Sequence, residues 1–300
     1  MIRVHNLWKS FGRQEVLRGV SFEVQPGEFM ALIGGSGCGK SLLLKLLVSL
    51  LKPDNGRIWV SGKDLAASSG KELESLRSRI GFVFQGGALF DSMTVYDNVA
   101  FPLREKTSLG EKDIRRKVTG ELELVGLRDA EHKFPAQLSG GMIKRVALAR
   151  ALVRDPEIVL FDEPTTGLDP VVSRAVLDLF NEVHQRLRLT GILVSHEIPR
   201  IFEIVQKVAM LHEGRIVAVE SPERFCASPE PVIRQFVNGN TTAQSCLNGE
   251  TGPRACFENP VKPSCSSSFS CSPSAFRDFS ITSTRTTTRT SPVLHFPKMN

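Results

Sequence analysis

No apolar stretch in the sequence approaches the ~20 residues a helix needs to cross a bilayer. The longest candidate, Leu42 to Leu51, is short and broken by Lys45. The opening Met1-Ile2-Arg3-Val4-His5-Asn6-Leu7 lacks the apolar core of a secretory leader. Together these set the expectation of a cytoplasmic chain, at most peripheral to a membrane. No basic run stands out either: the net charge is +6, and 32 acidic residues are spread along the chain, which argues against a dedicated nucleic-acid binder. Cysteine spacing is equally uninformative. Cys38 and Cys226 stand alone, and Cys246, Cys256, Cys265 and Cys271 match no zinc pattern, so all six read as thiols without a metal or a disulfide role.

What is present begins with size. Three hundred residues at 41% hydrophobic content can bury a full core. The chain is organised around Gly34-Gly35-Ser36-Gly37-Cys38-Gly39-Lys40-Ser41, which fits G-x-x-x-x-G-K-[ST]. The apolar Phe29-Met30-Ala31-Leu32-Ile33 reads as a buried strand leading in, and Leu42-Leu43-Leu44-Lys45-Leu46-Leu47 as a helix leading out. Glycines let the backbone turn its N–H groups toward phosphates, and a helix start adds partial positive charge. Lys40 is placed for the β/γ-phosphates and Ser41 for Mg²⁺. A plain glycine-rich turn would explain the glycines but not Lys-Ser at the fixed offset.

Upstream, Ile2-Arg3-Val4 and Val20-Ser21-Phe22-Glu23-Val24 alternate between turn signals at Gly12-Arg13 and Pro26-Gly27, predicting an antiparallel edge sheet. Phe11, on the loop between them, is either an adenine-stacking face or a core phenylalanine. Downstream, Gly56 to Val60 is a short strand, Ser61 to Ser78 is polar, and Ile80-Gly81-Phe82-Val83-Phe84 is a buried strand ending at Gln85. A polar group there can reach a metal or water at the carboxyl end of a sheet, or merely end the strand.

Residues 94–134 place apolar side chains at three- and four-residue spacing among charges, predicting a small helical insert. Leu138-Ser139-Gly140-Gly141-Met142 then starts a helix, with Ser139 as cap and two glycines leaving N–H groups bare, a second candidate anion site. Ile158-Val159-Leu160-Phe161 is a fully apolar strand followed by Asp162-Glu163. Asp162 is placed to reach Mg²⁺ through its water shell, and Glu163 to polarise an attacking water. A turn containing Asp169 follows, then helical spacing over 171–188. Gly191-Ile192-Leu193-Val194 ends in Ser195-His196-Glu197, where His196 can face the γ-phosphate, and Val208–Leu211 with Arg215–Val219 reads as a closing hairpin.

The ordered set of phosphate loop, Gln85, Leu-Ser-Gly-Gly at 138–141, Asp162-Glu163, Asp169 and His196 resembles the ATP-binding subunit of an ABC transporter over residues 1 to about 237. The fold class implied is α/β: a P-loop NTPase with a mostly parallel core sheet, an antiparallel β edge subdomain and a helical subdomain over about 94–153. The resemblance implies ATP and Mg²⁺ as cofactors. It also implies a head-to-tail dimer in which ATP lies between residues 34–42 of one copy, Leu42 included, and Ser139, Gly140 and Gly141 of the other. Phe11 becomes the adenine-stacking residue, Gln85 a Mg²⁺ ligand and sensor, Lys40 a catalytic and phosphate-binding lysine, Glu163 the general base and His196 the switch residue. The signature commonly ends in Gln, whereas this chain has Met142. With the segments Gln85–Ser92 and Asn98–Leu103, that departure is similar to the Mce/Mla-type lipid-transport ATPases. The partners implied are a membrane permease and an Mce-type lipid-binding protein, at the cytoplasmic face of the inner membrane. A transporter for another substrate, or a soluble ABC-type ATPase, is the alternative; the long coiled-coil insert or doubled cassette usual in the latter is missing. Of residues 240–300, twenty are Ser or Thr. With no apolar periodicity to offset ordering entropy of roughly 1–2 kcal/mol per residue, 238–300 is expected to be a disordered tail.

Overall fold

The computed structural model describes residues 1–196, 198 and 200–239. The expected disorder of the tail falls on residues that, from 240 onward, lie outside those described, as does Glu197.

Two sheets divide the labour. Strands β1 (Ile2–Phe11) and β2 (Gln14–Val24) form a hairpin in which Ile2 pairs with Val24 and Phe11 with Gln14. With β4 (Asn55–Val60) and β5 (Lys63–Asp64) they make a four-stranded antiparallel sheet, in the order β2-β1-β4-β5. The second sheet holds β3 (Phe29–Ile33), β6 (Ile80–Val83), β7 (Ile158–Asp162), β8 (Thr190–Val194), β9 (Lys207–His212) and β10 (Arg215–Glu220), in the order β10-β9-β3-β8-β7-β6. All its pairings are parallel except β9 with β10.

Every residue of β3, β7 and β8 is buried, as the unbroken apolar runs require of strands covered on both faces. The period of two then splits the core. Phe29, Ala31, Ile33, Phe161, Leu193 and Met210 face one apolar cluster; Met30, Leu32, Leu160, Ile192, Ala209 and Leu211 face the other. The second cluster takes in Leu43, Leu44, Leu46 and Leu47 of α1 (Lys40–Leu47) and the inner face of the antiparallel sheet.

Within the stretch read as polar from Ser61 to Ser78, the structure forms β5 and a helix, α2 (Gly70–Ser78), of which only Leu76 is buried. The helical segment contains α3 (Val95–Lys106), α4 (Glu111–Leu124) and α5 (Gly140–Leu152). Helix α6 (Pro170–Leu187) starts on Asp169, whose carboxylate accepts from Val171 and Val172 N–H at 3.0 Å each. Two short helices, α7 (Pro222–Cys226) and α8 (Pro231–Gly239), complete the described chain. Because β3, β6, β7 and β8 run parallel, residues that follow them in sequence collect at one edge of the sheet.

Candidate active site

The phosphate loop leaves β3 through a left-handed turn that only glycine fits. At Gly34 φ is +149°, and a Cβ there would lie 2.1 Å from the Leu211 carbonyl oxygen of β9. Gly39, with φ +105°, precedes the first turn of α1 and would meet the Leu17 side chain at 2.9 Å. Lys40 is only 5% exposed, and its ammonium donates to the carbonyls of Gly34 and Gly35 at 2.9 Å each. It thus spans the loop that it would otherwise lend to a phosphate. Cys38 packs its sulfur inward, and burial pushes its thiol pKa up. Ser36, Gly37 and Leu42 complete the loop and helix start.

Asp162, the last residue of β7, is buried and accepts from the Ser41 hydroxyl at 2.6 Å. Burial, above all, pushes its carboxyl pKa up. Glu163 follows in a left-handed conformation, φ +45°, its N–H donating to Val194 of β8 at 3.1 Å. Four side chains converge on its carboxylate: Gln85 donates at 3.4 Å, Thr166 at 3.2 Å, Lys40 lies at 4.0 Å and the His196 Nδ1 at 3.9 Å. These come from the ends of four different strands or their following loops. Catalytic constellations gathered from several strand ends are what a parallel sheet makes available.

Among the described residues no trio of His, Cys, Asp or Glu is grouped to hold a metal. The donors present are a hydroxyl (Ser41), a side-chain amide (Gln85) and a carboxylate (Asp162). This hard-oxygen set suits Mg²⁺, which keeps several waters and borrows phosphate oxygens.

The structure does not bring Ser139, Gly140 and Gly141 to this cluster. Ser139 caps α5, accepting from Met142 N–H at 3.3 Å. A Cβ on Gly140 or Gly141 would meet Leu168 at 2.8 Å or Val172 at 2.6 Å. Among the described residues no hydrogen bond joins 138–142 to the phosphate loop. Phe11 is the last residue of β1 and is 52% exposed, which removes the core alternative.

Several residues on which the site depends carry no motif. The Lys144 ammonium, on α5 and buried, donates to the Gln85 carbonyl. Arg150, two turns on, donates to Gly87 and Ala88 carbonyls at 2.8 and 2.7 Å. Asn98, fully buried on α3, accepts from Phe90 N–H at 2.7 Å and donates to the carbonyls of Phe90, Met93 and Thr94. Helix α5 therefore carries the capped Ser-Gly-Gly start at one end and grips the segment after Gln85 along its length.

A family model described as ABC transporter matches residues 17–166. The Mycobacterium leprae protein named as a probable ribonucleotide transport ATP-binding protein, mkl, is 44% identical over 238 residues, which is 79% of this chain and 69% of that one. The Haemophilus influenzae intermembrane phospholipid transport system ATP-binding protein MlaF is 39% identical over 241 residues, 80% of this chain and 91% of that one. Among solved structures, a dimeric ATP-binding cassette in a post-hydrolysis state with ADP and Pi superposes with a TM-score of 0.67 at 29% identity, covering 74% of this chain and 99% of that one.

Proposed function

We propose that this chain, which belongs to the ABC transporter family of ATP-binding subunits, is the ATPase that drives phospholipid movement through a membrane permease. The observation that carries the catalytic half is the convergence on Glu163 of groups from Lys40, Gln85, Thr166 and His196.

In this reading the backbone N–H groups of 34–42 and the Lys40 ammonium hold the phosphates, with Lys40 exchanging its two carbonyl partners for phosphate oxygens. Ser41 and Gln85 would hold Mg²⁺ directly and Asp162 through a water, and the ion would supply positive charge against the phosphates. Glu163 accepts the proton of the attacking water as general base, oriented by Gln85 and Thr166, while His196 faces the γ-phosphate side. Phe11, exposed at the hairpin end, stacks on adenine. Ser139, Gly140 and Gly141 serve a second copy, because within one chain they lie apart from the loop. A head-to-tail dimer then completes each site.

The lipid half rests on the likeness to MlaF together with Met142 and the 85–103 segment. It adds an Mce-type lipid-binding partner beyond the permease and a place at the cytoplasmic face of the inner membrane. No helix among the described residues is long and apolar enough to cross a membrane. The mycobacterial relative's name favours ribonucleotide as a second reading.

Two experiments test the two halves. Glu163→Gln in the full chain is expected to bind ATP and accumulate as a dimer without releasing phosphate; phosphate release at the wild-type rate refutes the general base. Mild-detergent purification from the native membrane is expected to yield a lipid-type permease with phospholipid. Recovery of a sugar, peptide or nucleotide permease overturns the lipid assignment.

A further inference from the structure

Strands β7 and β8 are neighbours, with Asp162 paired to Val194, and each delivers a loop to the catalytic edge. One loop carries Glu163 and runs to Pro170 at the start of α6; the other carries His196 and reaches Arg200. At their base the Glu163 N–H donates to the Val194 carbonyl at 3.1 Å. Further out, the Glu163 carboxylate and the His196 Nδ1 stand 3.9 Å apart, too far for a direct hydrogen bond. At their far ends the loops meet again. Half-buried Arg200 donates from Nη1 to the Pro170 carbonyl at 2.6 Å, across 30 residues of chain.

We infer that Arg200 is a positioning residue for ATP hydrolysis, which holds His196 at its working distance from Glu163 by tying the loop after β8 to the start of α6. The inference rests on the reading of Glu163 as general base and His196 as switch residue. Apolar contact cannot do this work alone. Ile198 and Ile201 sink into the same cluster as Leu168 and Val172, but such burial is non-directional and holds two loops together without setting their offset. A hydrogen bond from a charged donor to a carbonyl has a preferred length and angle, so it does set one. With the base closed by Glu163 and Val194 and the far end by Arg200 and Pro170, the two loops form a closed frame that contains His196. The Ile198 N–H donates to the His196 carbonyl at 3.1 Å, so a displacement at Arg200 reaches His196 through a short, hydrogen-bonded path.

Arg200 also has a competing partner. Glu203 lies in the same short turn, its carboxyl pushed up chiefly by burial, with Asp178 adding and Arg174 and Arg200 opposing. Among the described residues the guanidinium nevertheless bonds the Pro170 carbonyl and forms no ion pair with Glu203. A cation placed only to balance charge would take the carboxylate.

The test uses the full chain in its native membrane complex, with phosphate release as the rate and a fluorescent ATP analogue for affinity. Arg200→Met keeps an unbranched side chain and removes the donor. It is expected to lower kcat about fivefold or more, with KM and analogue affinity within about twofold of wild type, because Lys40 and Ser41 lie on other elements. Arg200→Lys, which keeps one charged donor, is expected to regain at least about half of the lost rate. Both variants should melt within about 2 °C of wild type, since the contact is at the surface. An unchanged kcat for Arg200→Met, a raised KM in place of a lowered kcat, an equal loss in Arg200→Lys, or a melting temperature that falls along with the rate overturns the inference. His196→Ala, measured alongside, separates it from the reading beneath it. If His196→Ala is slowed and Arg200→Met is not, only the positioning role fails; if His196→Ala hydrolyses ATP at the wild-type rate, the switch assignment fails and the positioning role with it.

Discussion

Asn98→Ala should cost more stability than its size suggests. The side chain is fully buried and satisfies the Phe90 N–H and the Met93 carbonyl, which have no backbone partner among the described residues. The Phe90 and Thr94 carbonyls are different, because the Met93 and Asn98 N–H groups already donate to them at 3.1 and 2.9 Å. Leaving a buried polar group unpaired costs about 1–3 kcal/mol, but Phe90 is 42% exposed, so water can reach part of this segment. Taking one full penalty, one partial penalty and about 1 kcal/mol for lost packing gives about 3–4 kcal/mol. At a urea slope of about 3 kcal/mol per molar, the midpoint should fall by about 1 M. Equilibrium urea unfolding of the purified chain, followed by tryptophan fluorescence, reads this directly. Nucleotide affinity should survive in low urea, because Lys40, Ser41 and Asp162 sit on other elements. A midpoint shift below about 0.3 M would refute the reasoning, since it would mean the 90–94 turn holds without its buried amide.

Two further outcomes follow from buried groups outside the motifs. Lys144→Met removes the donor to the Gln85 carbonyl while keeping the side chain's length; steady-state assays should show a several-fold fall in ATPase rate, with fluorescent-nucleotide affinity unchanged. Glu121 has one carboxylate oxygen without a hydrogen-bond partner, and burial, aided by Asp155 and opposed by Lys117 and Arg186, pushes its pKa up to about 7 from 4.5. A raised carboxyl pKa means the folded chain holds the proton longer than the unfolded one, so stability drains as pH rises from 4.5 to about 7. The span corresponds to about 3 kcal/mol, and discounting for the solvent-facing part leaves about 1–2 kcal/mol. Glu121→Gln should therefore melt higher than wild type at pH 8 and alike at pH 4; equal melting temperatures at both would count against the burial argument.

The site's backbone was open to reading because it is made of strand ends. Uninterrupted apolar runs at 29–33 and 158–161 announce buried strands, and the charged or glycine-rich residues after them have a fixed place in a parallel sheet. The residues that hold those ends in position were not legible. Lys144 looks like one more charge on a solvated helix, yet it is 5% exposed, because the segment after Gln85 folds back over α5. Helix α2 was missed for a different reason: with only Leu76 buried, it has no apolar stripe to display. Asn98 is hidden for a third, since its partners are backbone atoms of an irregular turn and leave no mark on side-chain spacing. Phe11 shows the limit of spacing from the other side, because burial and not sequence separated its two readings.

The strand order also has a temporal meaning. Strand β3 delivers the phosphate loop, yet its neighbours in the sheet are β8 and β9, so Leu32 waits for Val194 and Ile33 for Met210. The Leu211 carbonyl that backs Gly34 comes later still. At roughly 5–20 residues per second, a ribosome needs about 10–35 s to make the intervening ~180 residues. During that time the nucleotide loop exists as sequence but has no sheet to stand on. ATP can then act as a ligand for the finished cassette only, and stretches such as 29–33 and 42–47 must be kept from other hydrophobic surfaces until the last strands of the sheet emerge.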